Sequence, residues 1–207
     1  MTVNVLNSVT EKIFTIEEYY ELIEKSTRKY EFHNGKIITM PNTSINHNEI
    51  SGNIFGQLYI LSLQKETLRV FNPEQKVYLE TYNQMVYPDG CVVLGKVEKF
   101  DKYTITNPSV IFEVASPSTV RYDRGLKFKK YQSLSSFQQY VLIDQDAPLV
   151  EVLTKTEANW KIEIYTGLDE VVELSSIDCS IKMSDIYRNV EDLESPQAQI
   201  DFEEKVD

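Results

Sequence analysis

The stretch VIFEVASPST, residues 110–119, decides the fold more than any other part of the sequence. Its first six residues are the most apolar run of the chain, which predicts a strand buried inside a sheet, and Ser116-Pro117 marks its end. Glu113 interrupts this run, and a buried carboxylate is costly unless a cation or hydrogen-bond donors meet it. Glu113 is therefore a candidate functional residue. The structural alternatives are an ion pair across the sheet or an exposed strand face.

Helical and strand patterns lie on both sides of this strand. Hydrophobic periodicity predicts helices over residues 15–25, 44–64 and 121–134, with a short helical turn over 184–188. Strands are predicted over 30–32, 36–40, 75–79, 91–94, 139–143, 149–153, 160–165 and 170–174. Asn34-Gly35 is a hairpin turn signal between the first two strands. The order predicts a mixed α/β (α+β) domain with a central mixed sheet flanked by helices and extra antiparallel strands near the C-terminus.

The composition is that of one globular domain. The chain has 207 residues, 42% of them hydrophobic and 26% charged. We expect an N-terminal arm over 1–13, a domain over 14–190, and an acidic, mobile tail over 191–207, which holds seven acids and one lysine. Because no run approaches the ~18 apolar residues of a membrane helix and no signal peptide is evident, we expect a cytoplasmic protein that does not contact membranes.

The scarcity of cysteine and histidine restricts the metal chemistry. The presence of only two cysteines and two histidines argues against a disulfide framework, a cysteine zinc site and a histidine cage. Any metal would be held by carboxylates, which favours Mg²⁺ or Mn²⁺. The sequence also lacks the phosphate-loop, dinucleotide-binding, nucleophile-elbow and H-E-x-x-H motifs.

The charge is unevenly distributed. A net charge of −11 argues at face value against nucleic acid as a partner. Residues 121–130, however, carry five basic side chains (Arg121, Arg124, Lys127, Lys129 and Lys130) against Asp123 alone. This segment is either a basic binding surface or an ordinary solvated helix face.

Three residues form the candidate site. Asp89, in YPDG (87–90), is either part of a simple turn or a metal ligand, because it opens one predicted strand while Glu113 lies in the next. Neighbouring strands could bring the two carboxylates to one divalent ion. Lys127 shares a helix face with Arg124 and Tyr131, and its ammonium could neutralise charge developing at phosphorus.

Two further residues could support the site. Glu31, on the strand after the first helix, could add a carboxylate, and otherwise is an exposed strand residue. His47, at the start of the long helix, could face the same cleft, and otherwise pairs with the backbone there.

Five motifs in order resemble a known family. They are YEFxxG (30–35), PD (88–89), EVASPST (113–119), YDRGxK (122–127) with Tyr131, and YVLID (140–144). This pattern, from about residue 14 to 187, resembles the Uma-two family of restriction-endonuclease-like proteins, which belongs to the PD-(D/E)XK nuclease superfamily. Asn34, Leu126 and Gln139 depart from residues common in that family and bear on supporting contacts.

The resemblance implies a restriction-endonuclease-like fold and a metal-dependent nuclease. It implies that Asp89, Glu113 and the backbone carbonyl of Val114 bind Mg²⁺ or Mn²⁺. The superfamily lysine that often follows two residues after the glutamate is Ala115 here, so its role would fall to Lys127. Glu31 matches an additional acid, with Tyr131 and His47 as supporting residues.

The implied reaction is metal-assisted hydrolysis of DNA phosphodiester bonds, without an organic cofactor. Arg121, Arg124 and Lys130 would contact the nucleic acid from the basic segment. A homodimer is expected, because two symmetry-related sites most simply cut both strands.

Two other functions remain open at this point. The acidic balance and the lack of an evident base-reading element fit a non-catalytic binding or assembly protein on the same fold. A glycosidase could use Asp89 and Glu113 as acid and base, but this gives no role to Lys127.

Overall fold

The computed structural model describes residues 12–196. Most of the predicted N-terminal arm (1–13) and residues 197–207 of the predicted acidic tail lie outside this range. The described part of the tail contacts the domain: Leu193 packs against the core, and the Glu194 N–H donates to the carbonyl of Asp146.

The helices and strands alternate much as predicted. The helical segments are α1 (Ile16–Glu24), α2 (Ile45–Ser62), α3 (Val120–Tyr122), α4 (Phe128–Tyr131) and α5 (Met183–Ile186), and a π-helical turn (Asp123–Lys127) joins α3 to α4. The first strands are β1 (Tyr30–His33), β2 (Lys36–Thr39), β3 (Leu68–Phe71), β4 (Lys76–Leu79), β5 (Gln84–Val86), β6 (Gly90–Leu94) and β7 (Thr104–Ile105). The later strands are β8 (Val110–Ala115), β9 (Gln139–Asp144), β10 (Leu149–Lys155), β11 (Trp160–Thr166), β12 (Val171–Leu174) and β13 (Cys179–Lys182).

Local sequence signals explain two of the early elements. Thr15 caps α1: its hydroxyl accepts the Glu18 N–H, and the Glu18 carboxylate accepts the Thr15 N–H, which forms a capping box. Asn34 and Gly35 join β1 to β2 with positive φ angles of 48° and 88°, as a two-residue hairpin turn requires. Strand β1, which contains Glu31, is thereby paired with β2.

The strands of residues 12–196 form two main sheets and a separate strand pair. The larger sheet has the order β11-β10-β9-β8-β6-β3, and the smaller has the order β2-β1-β5-β4-β7. In the larger sheet β8 runs parallel to β9 and antiparallel to β6, so the sheet is mixed. The mixed sheets, the flanking helices and the antiparallel β12–β13 pair confirm the predicted fold class.

The strand that contains Glu113 lies in the middle of the larger sheet and is buried on both faces. Phe112 and Val114 pack on one face, in a core cluster with Ile50 of α2. Ile111 and Ala115 pack on the other face, against Tyr131 and neighbouring aromatic rings. Glu113 therefore emerges on the face that α4 covers.

The predicted helix over 121–134 differs from the observed one. The helical segment runs through the π-helical turn at Asp123–Lys127 and its last helical residue is Tyr131. A π-helical turn widens the helix locally and is frequent at functional sites.

Four short strands, β3, β5, β7 and β13, were absent from the predicted set. Each has two to four residues, and β3, β7 and β13 each pair with a single strand. Such segments are too short for periodicity to identify them. No helix within residues 12–196 is long and apolar enough to span a membrane.

Candidate active site

Asp89 and Glu113 lie opposite each other on neighbouring strands. Strand β6 begins with Gly90 paired to Phe112 of β8, so the antiparallel register places Asp89 across from Glu113. Residues directly opposite in an antiparallel pair direct their side chains to the same face. The two predicted carboxylates therefore share one face of the sheet at the point where β6 begins.

The Asp89 carboxylate also completes the hydrogen bonding of β8. Beyond Phe112 the β6 partner ends, and Asp89 Oδ2 accepts the Val114 N–H at 2.8 Å. Because a buried backbone N–H needs an acceptor, this bond fixes the carboxylate against β8. Asp89 of the YPDG turn therefore both completes the backbone hydrogen bonding of β8 and is held in place beside Glu113.

Lys127 projects from the π-helical turn into the same space. Its Nζ lies 2.7 Å from Glu113 Oε2 and 3.4 Å from Asp123 Oδ1. Both carboxylates are almost fully buried, with side-chain exposures of 2% and 6%. The structure thus brings together the three residues of the sequence-predicted site: Asp89, Glu113 and Lys127.

Tyr131 holds the other oxygen of Glu113. Its hydroxyl donates to Glu113 Oε1 at 2.8 Å, and the ring is completely buried. With Lys127 on Oε2 and Tyr131 on Oε1, the Glu113 carboxylate has a fixed orientation. Tyr131 lies four residues after Lys127, so both side chains come from one helical face, as the sequence spacing predicted.

His47 reaches Asp89 from the first turn of α2. The Ser44 hydroxyl caps this helix by accepting the His47 N–H, and His47 Nε2 lies 3.2 Å from Asp89 Oδ2. The Ser51 hydroxyl, one turn later, donates to the His47 carbonyl. His47 therefore borders the site, although its contact is with a carboxylate as well as with the helix start.

Glu31 supports the segment that leads to Asp89. Its Oε1 accepts the Tyr87 N–H at 3.0 Å, two residues before Asp89, and its Oε2 lies 2.7 Å from His33 Nε2. Glu31 is thus a largely buried carboxylate with both oxygens engaged, and not an exposed strand residue.

The site holds more negative than positive charge. Burial acts to lower the pKa of Lys127, but Glu113, Asp123, Asp89 and Glu31 raise it overall. Burial raises the pKa of Glu113 well above its usual range; Lys127 opposes this effect, whereas Asp89 and Asp123 add to it. Four carboxyl groups therefore lie around one ammonium, and a divalent cation bound among them would favour the ionised form of Glu113.

The pKa of Asp89 shows how strongly its hydrogen bonds favour the ionised form. Burial acts to raise this pKa, yet it is lowered overall by the hydrogen bond and charge of His47, by Lys127 and by the Val114 N–H. A carboxylate kept ionised in a buried position has the charge state that a metal ligand needs.

The donor set fits a hard cation that keeps much of its water. In the part of the chain that the structure describes, no group of three or more His, Cys, Asp or Glu side chains is arranged to hold a metal. Asp89 and Glu113 therefore offer two carboxylates, which a backbone carbonyl, water and substrate oxygens would have to complete. Mg²⁺ binds in this way, through one or two carboxylates plus substrate phosphates.

A cavity of about 720 Å³ opens onto the site. Its walls include Asp89, His47 and Tyr87 on the site side and Arg28 and Lys29 on the other. A ligand from solvent can therefore reach Asp89 through a cavity whose wall also includes cations.

The basic segment after β8 is less accessible than its sequence suggested. Arg121 is exposed, but Arg124 pairs with Glu151, and Lys130 is 7% exposed with its Nζ donating to the Tyr122 hydroxyl. Of the three predicted nucleic-acid contacts, Arg121 has the most exposed side chain. Lys130 would have to move to contact a ligand.

Two residues of the site were missed by sequence reasoning. Asp123 enters the sequence-based prediction only as the one acid of a basic segment. Its spacing of four residues from Lys127 is the signal that would have predicted their ion pair on one helix face. His33 was assigned only to the hairpin turn, although its spacing of two from Glu31 puts both on one face of β1.

Comparison with known proteins shows which sequences and which fold this chain is similar to. Two uncharacterized proteins of Synechocystis sp. (strain ATCC 27184 / PCC 6803 / Kazusa) are similar: sll1609 is 32% identical over 80% of this chain and 95% of its own length, and slr1290 is 30% identical over 84% and 91%. The crystal structure of "a putative nuclease belonging to DUF820" from Anabaena variabilis ATCC 29413 has a TM-score of 0.66 and 18% identity, covering 84% of this chain and 97% of its own. Its likeness shows the same fold.

The family match covers every element of the site. The Uma2 family, described as "Putative restriction endonuclease", matches residues 16–184, which extend from α1 to α5. This range contains Glu31, Asp89, Glu113 and Lys127, and it confirms the family resemblance seen in the sequence. The chain belongs to the Uma2 family of restriction-endonuclease-like proteins.

Proposed function

We propose that this protein is a Mg²⁺-dependent endonuclease that hydrolyses DNA phosphodiester bonds at Asp89, Glu113 and Lys127. The observation that carries the proposal is the opposition of Asp89 and Glu113 across β6 and β8, with Lys127 Nζ 2.7 Å from Glu113. The family description and the nuclease-like fold support the same function.

The metal would be held by Asp89 and Glu113, with the Val114 carbonyl as a further oxygen ligand. A divalent ion bound there supplies Lewis-acid stabilisation of charge on the phosphate and lowers the pKa of water. Mn²⁺ is expected to substitute, because it prefers the same oxygen ligands.

The protein's own groups would position the reacting atoms. Lys127 would stabilise negative charge that develops at phosphorus, since its ammonium pairs with Glu113 and its charge also acts on Asp89. Tyr131 keeps the Glu113 carboxylate in one orientation. His47 and Glu31 act on Asp89, the first by direct contact and the second through the backbone of Tyr87.

Binding of Mn²⁺ is the first test, because it needs no knowledge of the substrate. Calorimetric titration of the full chain should show saturable binding that is lost in Asp89→Asn and in Glu113→Gln. Asp169→Asn, which removes one exposed carboxylate elsewhere, is the matched control and should bind as the wild type does. Equal binding by all four proteins would contradict the proposed ligand set.

Cleavage is the second test. With Mg²⁺, supercoiled plasmid should be nicked or linearised by the wild type and the Asp169→Asn control. Asp89→Asn should lower the rate by about 100-fold or more, the usual scale for loss of a group that stabilises the transition state. Metal binding without cleavage of any DNA or RNA would instead favour the non-catalytic function.

A homodimer would allow both strands of a duplex to be cut. Two copies related by a two-fold axis present two identical sites to two strands of opposite direction. Light scattering of the protein, with and without DNA, tests this part of the proposal. A monomer on DNA that still linearises plasmid would contradict it.

A further inference from the structure

A second cavity, here called the basic cavity, lies away from the site residues. Its volume is about 550 Å³. Residues from β3, from the loop after β6 and from β7 line it, among them Arg69, Gln75, Lys96, Lys99, Lys102 and Tyr103. None of the residues already assigned to the active site is part of its wall.

The basic cavity concentrates positive charge on an acidic protein. Arg69, Lys96, Lys99 and Lys102 are all exposed, and none of them forms a salt bridge within residues 12–196. The chain as a whole has a net charge of −11. This concave surface therefore has four exposed cations without a salt bridge in the described residues, in contrast to the acidic balance of the whole chain, and such a surface attracts polyanions.

The nearby acids only partly offset this charge. Asp101 is engaged within the protein, since it accepts hydrogen bonds from the Tyr20 hydroxyl and the Tyr103 N–H. Glu98 lies on the same loop, and Glu24 acts on Lys102. Buried Lys76 adds a fifth cation behind the wall, so the local balance stays positive.

An exposed aromatic ring stands among these cations. The Tyr103 ring is 56% exposed, with Lys102 Nζ 4.4 Å and Lys76 Nζ 5.7 Å from its centre. Cations beside an accessible aromatic ring are a combination that nucleic-acid backbones and bases favour.

The basic cavity adjoins the cavity of the active site. The turn between β3 and β4 separates them: Asn72, Pro73 and Glu74 line the active-site cavity, whereas Phe71 and Gln75 line the basic cavity. Lys29 holds this turn, because its Nζ bonds to Glu74 and to the Pro73 carbonyl. A ligand that crosses the turn would contact both cavities.

The spacing suits a nucleic-acid backbone. Strand β6 leads from Asp89 to the loop at Gly95, and six residues of extended chain span roughly 20 Å. A duplex has a phosphate charge about every 1.7 Å along its axis, so one molecule can place phosphates at both points.

From these observations we infer that the basic cavity is a second phosphate-binding site, which anchors the backbone of the same nucleic acid about 20 Å from the bond that is cut. The inference rests on the proposed function for the choice of ligand. It assigns Arg69, Lys96, Lys99 and Lys102 to affinity and leaves the chemical step to the active site.

The test compares two triple variants of equal charge change. Lys96→Gln/Lys99→Gln/Lys102→Gln removes three cations of the basic cavity. Lys155→Gln/Lys161→Gln/Lys182→Gln removes three exposed lysines from β10, β11 and β13, and is the control. Binding of a labelled mixed-sequence 20-base-pair DNA duplex is measured in EDTA by fluorescence anisotropy at several salt concentrations, and circular dichroism checks that both variants are folded.

The cavity variant should bind the duplex at least about 10-fold more weakly than the control variant at low salt. Its plot of log association constant against log salt concentration should be shallower by about 2 to 3, since each lost phosphate contact reduces the slope by about 0.9. Equal affinity and equal slope in the two variants would overturn the inference. Absence of duplex binding by the wild type would overturn it as well.

The same proteins separate this inference from the proposed function. If the cavity variant binds weakly but the wild type cuts no nucleic acid with Mg²⁺, the anchor stands and the proposed catalysis fails. If the wild type cuts DNA and the cavity variant binds and cuts as the control does, the catalysis stands and the anchor fails.

Discussion

Lys127 Nζ lies 2.7 Å from Glu113 Oε2, and this ion pair is buried under α4 with only 2% of the Glu113 side chain exposed. Glu113 is in the centre of the larger sheet, where an unpaired carboxylate would be very unfavourable. The ion pair with Lys127 therefore explains how an acid is accommodated in the apolar strand β8.

The stability of the domain should depend on this pair as a unit. Lys127→Met leaves the Glu113 carboxylate buried without its cation, which typically costs about 3–5 kcal/mol. The double variant Lys127→Met/Glu113→Gln removes the charge as well and should recover most of this loss. Urea unfolding of the single and double variants measures the difference. If the double variant is no more stable than Lys127→Met alone, the cost comes from lost packing and not from the isolated charge.

Tyr131 should affect metal binding as well as stability. Tyr131→Phe removes the hydrogen bond to Glu113, and supporting bonds of this kind are worth about 10–100-fold in metal affinity. Tyr140→Phe is the matched control, because Tyr140 is equally buried and its hydroxyl donates to the Asp123 carbonyl, not to a proposed ligand. Both variants should lose about 1 kcal/mol of unfolding free energy. Only Tyr131→Phe should weaken Mn²⁺ binding, and an equal change in both would argue against a positioning role.

Glu31 should act mainly through the Tyr87 backbone. Glu31→Gln keeps an oxygen that can accept the Tyr87 N–H, whereas Glu31→Ala removes it. Plasmid cleavage should therefore fall by about 10-fold or more in the alanine variant and by less in the glutamine variant. If the two variants cleave equally poorly, the charge of Glu31 is what matters, and a direct role at the metal becomes the better explanation.

The residues of the candidate site could be singled out from local features of the sequence, and the family resemblance then implied their roles. Glu113 is an acid in an apolar strand, Asp89 opens the preceding strand of the pair, and Lys127 and Tyr131 share helical spacing. Their meeting follows from the antiparallel pairing of β6 with β8 and from the helix that crosses after β8.

The rest depends on contacts that are distant in the sequence. The π-helical turn that carries Lys127 has no local signal in residues 123–127. Strand β3 pairs with β6 at the edge of the sheet through only four residues. Packing likewise sets the contact of Lys130 with Tyr122 and the pairing of Arg124 with Glu151. The number of basic residues in the segment therefore overestimates how many basic side chains are accessible to a ligand.

The pH dependence of stability should reveal the burial of Lys76, a lysine that lies near an aromatic cluster. Lys76 is 4% exposed and its Nζ lies 4.4 Å from the centre of the Tyr20 ring. Burial lowers the pKa of Lys76 to about 8, with Asp101 acting in the opposite direction. An unfolded lysine has a pKa near 10.4, so between these values the unfolded chain binds more protons than the native protein.

Stability should therefore rise with pH in this window. Well below pH 8 the burial of the charged lysine lowers the unfolding free energy by a constant amount. This cost disappears as the pH rises through the native pKa toward the pKa of the unfolded chain. Linkage with these two pKa values predicts a gain of about 2 kcal/mol in unfolding free energy between pH 7 and pH 9.5 from this group. Lys76→Met should lack that gain. Urea midpoints of both proteins up to pH 9.5 measure it. Unfolded tyrosines, with a pKa near 10, begin to ionise at the top of this range and act in the opposite sense, and the comparison with Lys76→Met cancels their contribution. Parallel profiles for the wild type and Lys76→Met would mean that Lys76 is solvated in the native protein, because burial is what lowers its native pKa.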